Sequence, residues 1–87
     1  QMDNVIKHIE TKIEELNRSI EYNQRELKIA QEFLNFCIVK ERAVEPAQRD
    51  VDYHTRRINE ATLELDVYYT AQDAKAEEKH LTSYPKN

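Results

Sequence analysis

Hydrophobic positions in the front half of the chain recur in steps that alternate between three and four. Ile6, Ile9, Ile13, Leu16, Ile20, Asn23, Leu27, Ala30, Leu34 and Cys37 fall on that series, and all but Asn23 are apolar or cysteine. Such steps keep side chains on one face of an α-helix and repeat every seven residues, so the pattern predicts a long helix with a seam for a partner helix. Outside the seam the residues are mostly charged. Asp3–Lys7, Glu14–Arg18 and Glu21–Arg25 are spaced to pair along the helix surface.

Pro46 interrupts the series. It has no N–H to donate to the carbonyl of Arg42, and its ring crowds that turn, whereas proline suits the first turn of a new helix. Behind it Val51, His54, Ile58, Ala61, Leu65 and Tyr68 make a second seam. The reading is an all-α chain forming a single domain over 1–87. It has one helix over about 3–44, a turn at 44–46, a second helix over about 46–81 and a polar tail at 82–87, folded into an antiparallel coiled-coil hairpin. One long helix kinked at Pro46 is the alternative. The turn holds no Gly, Asn, Ser or Asp, and the heptad passes through Val44, Val51, Ile58 and Leu65 without a slip.

A turn at 44–46 makes facing residue numbers sum to about 91. Cys37 then meets His54, Ala30 meets Ala61, Leu27 meets Leu65 and Asn23 meets Tyr68. Further from the turn, Ile20, Leu16, Ile13 and Ile9 face Gln72, Lys75, Lys79 and Thr82. Large aliphatic side chains left in water forgo about 1.5–3 kcal/mol each. The expectation is therefore that Ile6, Ile9, Ile13, Leu16 and Ile20 bury against a second copy, giving a dimeric helical bundle. Phe33 and Phe36, with Ile38 and Val39, make the helix apolar on nearly every side near the turn and point the same way. Asn23, an amide inside the seam, is the residue expected to fix register and oligomer number.

Composition narrows the class. Hydrophobic residues make up 39% of the 87 and charged ones 34%, against about 45–50% and about 25% in ordinary globular domains. That is enough apolar material to line a stripe and too little to wrap a round core. The chain has no glycine, which argues against sheets with tight hairpins and against Gly-rich phosphate loops. A net charge of −4 gives no general pull towards nucleic acid or an anionic membrane. No apolar run is long enough to span a bilayer. The single cysteine, Cys37, rules out an internal disulfide and fits a reducing, cytoplasmic setting.

Candidate chemistry is sparse. Glu77 and His80 form Glu-x-x-His, the spacing that di-iron helical bundles place on one face, and Glu14 or Glu10 would lie nearby on the first helix. The motif is two residues long in a Glu-rich helix, beside Lys75 and Lys79, so a solvated charged face is the plainer reading. Cys37 opposite His54 lacks the further ligands of a zinc site and any oxyanion loop, which leaves the cysteine as a small buried hydrophobe. Arg49, Tyr53, Arg56 and Arg57, with Lys40 and Arg42, gather near the turn and could touch phosphates or a protein partner. Glu41, Glu45, Asp50 and Asp52 lie among them, and Glu45–Arg49 and Asp52–Arg56 are spaced to pair. Tyr69, with Tyr22 and Tyr84, adds amphipathic surface of an interfacial kind.

Nothing in the chain supplies a nucleophile, a base and an oxyanion site together. The expected function is non-enzymatic and needs no cofactor. The chain would be a small adaptor, assembly factor or inhibitor that presents a helical surface to itself and to another protein. A di-iron bundle and a nucleic-acid binder working through the basic turn are the alternatives.

Overall fold

The computed structural model describes residues 2–83, with side chains through Glu78. Helix α1 spans Met2–Lys40 and helix α2 spans Val44–Ser83. The two pack against each other along their length as an antiparallel hairpin measuring 74 × 16 × 14 Å. One continuous helix of this chain length would run about 120 Å, so the kinked-helix alternative is excluded. The expected polar tail begins later than 82: Thr82 and Ser83 end α2, and 84–87 lie outside the described residues.

The turn is Glu41–Ala43, three residues earlier than the expected 44–46. Val44-Glu45-Pro46 is the first turn of α2 instead. Proline is tolerated there because the first four N–H groups of a helix have no intrahelical acceptor anyway. The reversal is made without glycine. Glu41 and Ala43 both take left-handed backbone, with φ of 56° and 53°. The Arg42 N–H donates to the Cys37 carbonyl at 3.0 Å and the Glu41 N–H to the Ile38 carbonyl at 3.2 Å. That pair of bonds is the Schellman closure of a helix C-terminus, with Glu41 in the place where glycine is usual. The Ala47 N–H then donates to the Ala43 carbonyl at 3.2 Å and starts α2.

The buried positions of α1, Ile9, Asn23, Ala30 and Cys37, all share one heptad position. In α2 the buried Ala47, His54 and Ala61 do the same. Small side chains at most of these points let the helices approach closely, since interaxial distance follows the residues at the contact. The larger seam residues, Ile6, Ile13, Leu16, Ile20, Leu27 and Leu34 in α1 and Val51, Ile58, Leu65 and Tyr68 in α2, are half-buried along the edges of the contact.

The earlier turn lowers the sum of facing residue numbers by about six, from about 91 to about 85, and the Asn23–His54 contact lies lower still. Each α1 residue meets an α2 residue of lower number than expected. Asn23 contacts His54, two heptads nearer the turn than the expected Tyr68. Tyr68 instead stacks edge-on with His8, and Tyr69 accepts a hydrogen bond from Asn17. The expected pairings of Cys37 with His54 and of Asn23 with Tyr68 are thereby corrected.

Candidate interaction surface

The register shift settles how the N-terminal aliphatic stripe is covered. Ile9 lines a contact with Gln72 and Lys75 rather than facing Thr82. It is only 5% exposed within the single chain, and Ile6, Ile13, Leu16 and Ile20 are half-buried. The α2 positions from Leu65 through Tyr68, Gln72 and Lys75 are half-buried in return. Polar side chains can do this because the aliphatic stems of Gln and Lys cover apolar surface while their heads stay wet. The expectation that this stripe lies open to a second copy is therefore corrected: the chain's own second helix shelters it. The cover is loosest at the open end, where a cleft of about 400 Å³ lies between Ile6, Ile9 and Glu10 on one side and Gln72, Lys75 and Ala76 on the other.

Midway along the seam sits a buried polar pair. The Asn23 amide nitrogen donates to the Ser19 carbonyl at 2.9 Å, so its oxygen faces His54. His54 Nδ1 lies 2.8 Å from that oxygen and must carry the proton, because an amide oxygen only accepts. His54 Nε2 lies 3.5 Å from the Asp50 carboxylate on the preceding turn. Among the described residues no buried side-chain nitrogen or oxygen is left without a partner. The imidazole thus links α2 to α1 through Asn23. It is not turned towards Cys37, which is buried and free.

A second apolar stripe runs along the outside of α1. Tyr22, Ile29, Phe33 and Phe36 lie one position ahead of seam residues 23, 30, 34 and 37, on the flank of the helix. All four are 53–59% exposed, and Phe33 and Phe36 stack with ring centroids 6.3 Å apart. Lys40 lies over the Phe36 ring at 5.9 Å. Val39 and Ile38 add further exposed aliphatic surface at the same end, and Tyr53, Leu63 and Val67 are exposed on α2. Sequence reasoning singled out Phe33, Phe36 and Tyr22 and missed Ile29. The missing signal was a second three-and-four series, offset by one from the first.

Charges along the surface fall into those that pair and those that do not. Glu14 accepts from Arg18 at 3.0 Å as expected, and Lys12–Glu15, Arg57–Glu60 and Lys75–Glu78 pair at 3.3–3.8 Å. Glu21 and Arg25 do not pair, and neither do Glu45 with Arg49 or Asp52 with Arg56. Gln48 donates to Asp52 at 3.0 Å, and Arg56 lies over the Tyr53 ring at 5.9 Å. The residues of the expected basic tip are therefore all exposed: Arg49 and Tyr53 stand in α2 with Arg56 against the tyrosine, while Arg57 is drawn to Glu60.

Glu14 is engaged by Arg18, and Glu77 is exposed near the open end. The His80 side chain lies outside the described residues. Among the described residues no group of three or more His, Cys, Asp or Glu side chains could hold a metal ion, and no helix is long and apolar enough to cross a membrane. With this geometry in view, comparison with known protein families, with curated proteins and with solved structures finds no match to the chain.

Proposed function

We propose that this chain is a non-enzymatic protein–protein interaction module, an adaptor, assembly factor or inhibitor that works by presenting a helical surface. The observation that carries the reading is the outer stripe of Tyr22, Ile29, Phe33 and Phe36, left exposed by a hairpin that shelters its other aliphatic stripe. Aromatic residues grouped on an exposed patch are what the cores of protein interfaces are built from. Burying one such side chain against a partner is worth about 1.5–3 kcal/mol. Self-association to a homodimer, with Phe33 and Phe36 inside the contact, belongs to this reading, as does a cytoplasmic setting in keeping with one free, buried cysteine. Arg49, Tyr53, Arg56 and Arg57 offer a separate, polar surface for a further partner.

The test is a variant carrying Phe33→Glu and Phe36→Glu. Both side chains are exposed, so circular dichroism should show helicity unchanged. Sedimentation and affinity capture should show association reduced at least tenfold, about 1.4 kcal/mol. Association unchanged in both assays would end the reading.

A further inference from the structure

We infer that the outer stripe of α1 is covered by the same stripe of a second copy, in an antiparallel two-fold pairing centred on Ile29. The inference rests on the interaction-module reading and adds the occupant and its orientation. Arg25 and Glu32 supply the reason. They are seven residues apart, so both lie on one edge of the stripe, the edge away from the seam with α2. Both are exposed, and neither takes an ion pair among the described residues.

In an antiparallel pairing of identical helices, each edge meets the same edge of the partner. A two-fold axis at Ile29 sets Ile29 beside its copy and Tyr22 level with Phe36 of the other chain. It also brings Arg25 level with Glu32 of the other chain to within one residue, about 1.5 Å of rise. The symmetry makes that pair twice. Arg18, on the same edge, comes level with the apolar Val39, while Glu26 comes level with Glu32 of the other chain but on the opposite side of the contact. A parallel pairing instead sets each edge against the opposite edge of the partner, so Arg25 and Glu32 no longer meet. The arrangement of charge thus gives the antiparallel orientation of a second copy a pairing that the parallel one lacks.

Sedimentation equilibrium of the full chain should show a monomer–dimer equilibrium. Arg25→Glu alone and Glu32→Arg alone should each raise the dissociation constant about tenfold, and the two together should restore it to near the starting value. Two further variants read orientation directly. Chains carrying Tyr22→Cys with Cys37→Ala, and chains carrying Phe36→Cys with Cys37→Ala, should when mixed and oxidised cross-link mainly to each other. Helicity by circular dichroism serves as the fold check throughout. A dimer in which the double charge swap stays as weak as the single ones, or in which Tyr22→Cys chains link mainly to themselves, overturns the antiparallel pairing. A chain that is monomeric throughout, yet captures a different protein through Phe33 and Phe36, overturns the second copy as occupant while leaving the interaction module standing.

Discussion

The chain carries two apolar stripes of similar length, and they have opposite fates. The stripe from Ile6 to Ile20 is the more aliphatic, yet it lies inside the hairpin, with Ile9 almost fully covered. The stripe from Tyr22 to Phe36 is the more aromatic, and it faces out. They differ because of geometry. A two-helix hairpin offers each helix a single neighbour, so α2 can cover one face of α1 and no more. The face at the seam is taken, and the face about a quarter-turn round is left. What decides burial here is position relative to α2, since the buried side of α2 is itself rich in Ala, His, Gln and Lys. The lesson is that the stripe with the strongest hydrophobic pattern holds the chain to itself, and the weaker, interrupted stripe is the one free to meet something else.

The sharpest way to break this contrast is to truncate one residue from each stripe. Ile9→Ala should destabilise the hairpin by about 2–4 kcal/mol in chemical denaturation, since it leaves a gap that two rigid helices close poorly. Phe33→Ala should change monomer stability by no more than about 0.5 kcal/mol, because it removes a side chain that stands largely in water. Equal losses for the two would show that the stripes are not partitioned in this way. The comparison requires a protein concentration low enough to keep any dimer dissociated, because association adds stability by mass action.

A smaller effect separates apolar cover from register. Asn23→Ala leaves the His54 N–H buried without its acceptor, and should cost about 1–3 kcal/mol. Replacing both partners, Asn23→Leu with His54→Leu, should recover much of that stability, since two apolar groups bury without an unpaired donor. The double variant should also lose the single helix offset that the pair enforces. Distances between spin labels at exposed Arg18 and Glu64 would then broaden or split, whereas in the parent chain they stay narrow. A double variant as narrow as the parent would move the burden of register onto the turn.

The fold was readable in the sequence because a heptad seam and a proline are local signals with few structural interpretations. The offset between the helices was not, and the reason lies in three residues. A proline fits both the turn itself and the first turn of the helix after it, and Pro46 is the latter. Glu41 and Ala43 carry no mark of a reversal, because left-handed backbone in a non-glycine residue is uncommon, yet both take it here. The polar end of α2 still faces the aliphatic stripe, and the expectation that the stripe lies bare fails chiefly because the stems of Gln72 and Lys75 cover it. Asn23 lies buried in the seam, as its place in the heptad implies, but its partner depends on the same offset. The aromatic surplus at Phe33 and Phe36 did not depend on it, since a helix apolar on several sides exceeds what one neighbour can cover whatever the register.

The turn yields the smallest predicted effect and the one with the opposite sign. A non-glycine residue in left-handed backbone costs about 1–2 kcal/mol relative to right-handed backbone, and Glu41 and Ala43 both bear it. Glu41→Gly removes that strain at the position where the Schellman closure favours glycine, but it also gives the unfolded chain more freedom to lose, about 0.5–1 kcal/mol. The balance should be a net stabilisation of about 0.5 kcal/mol in the denaturation midpoint, with any self-association unaffected, because Glu41 lies outside both stripes. Ala43→Gly should behave alike, and if the strain is local the two should add. A destabilisation by Glu41→Gly would show that the Glu41 side chain contributes to the turn in some way that outweighs its backbone strain.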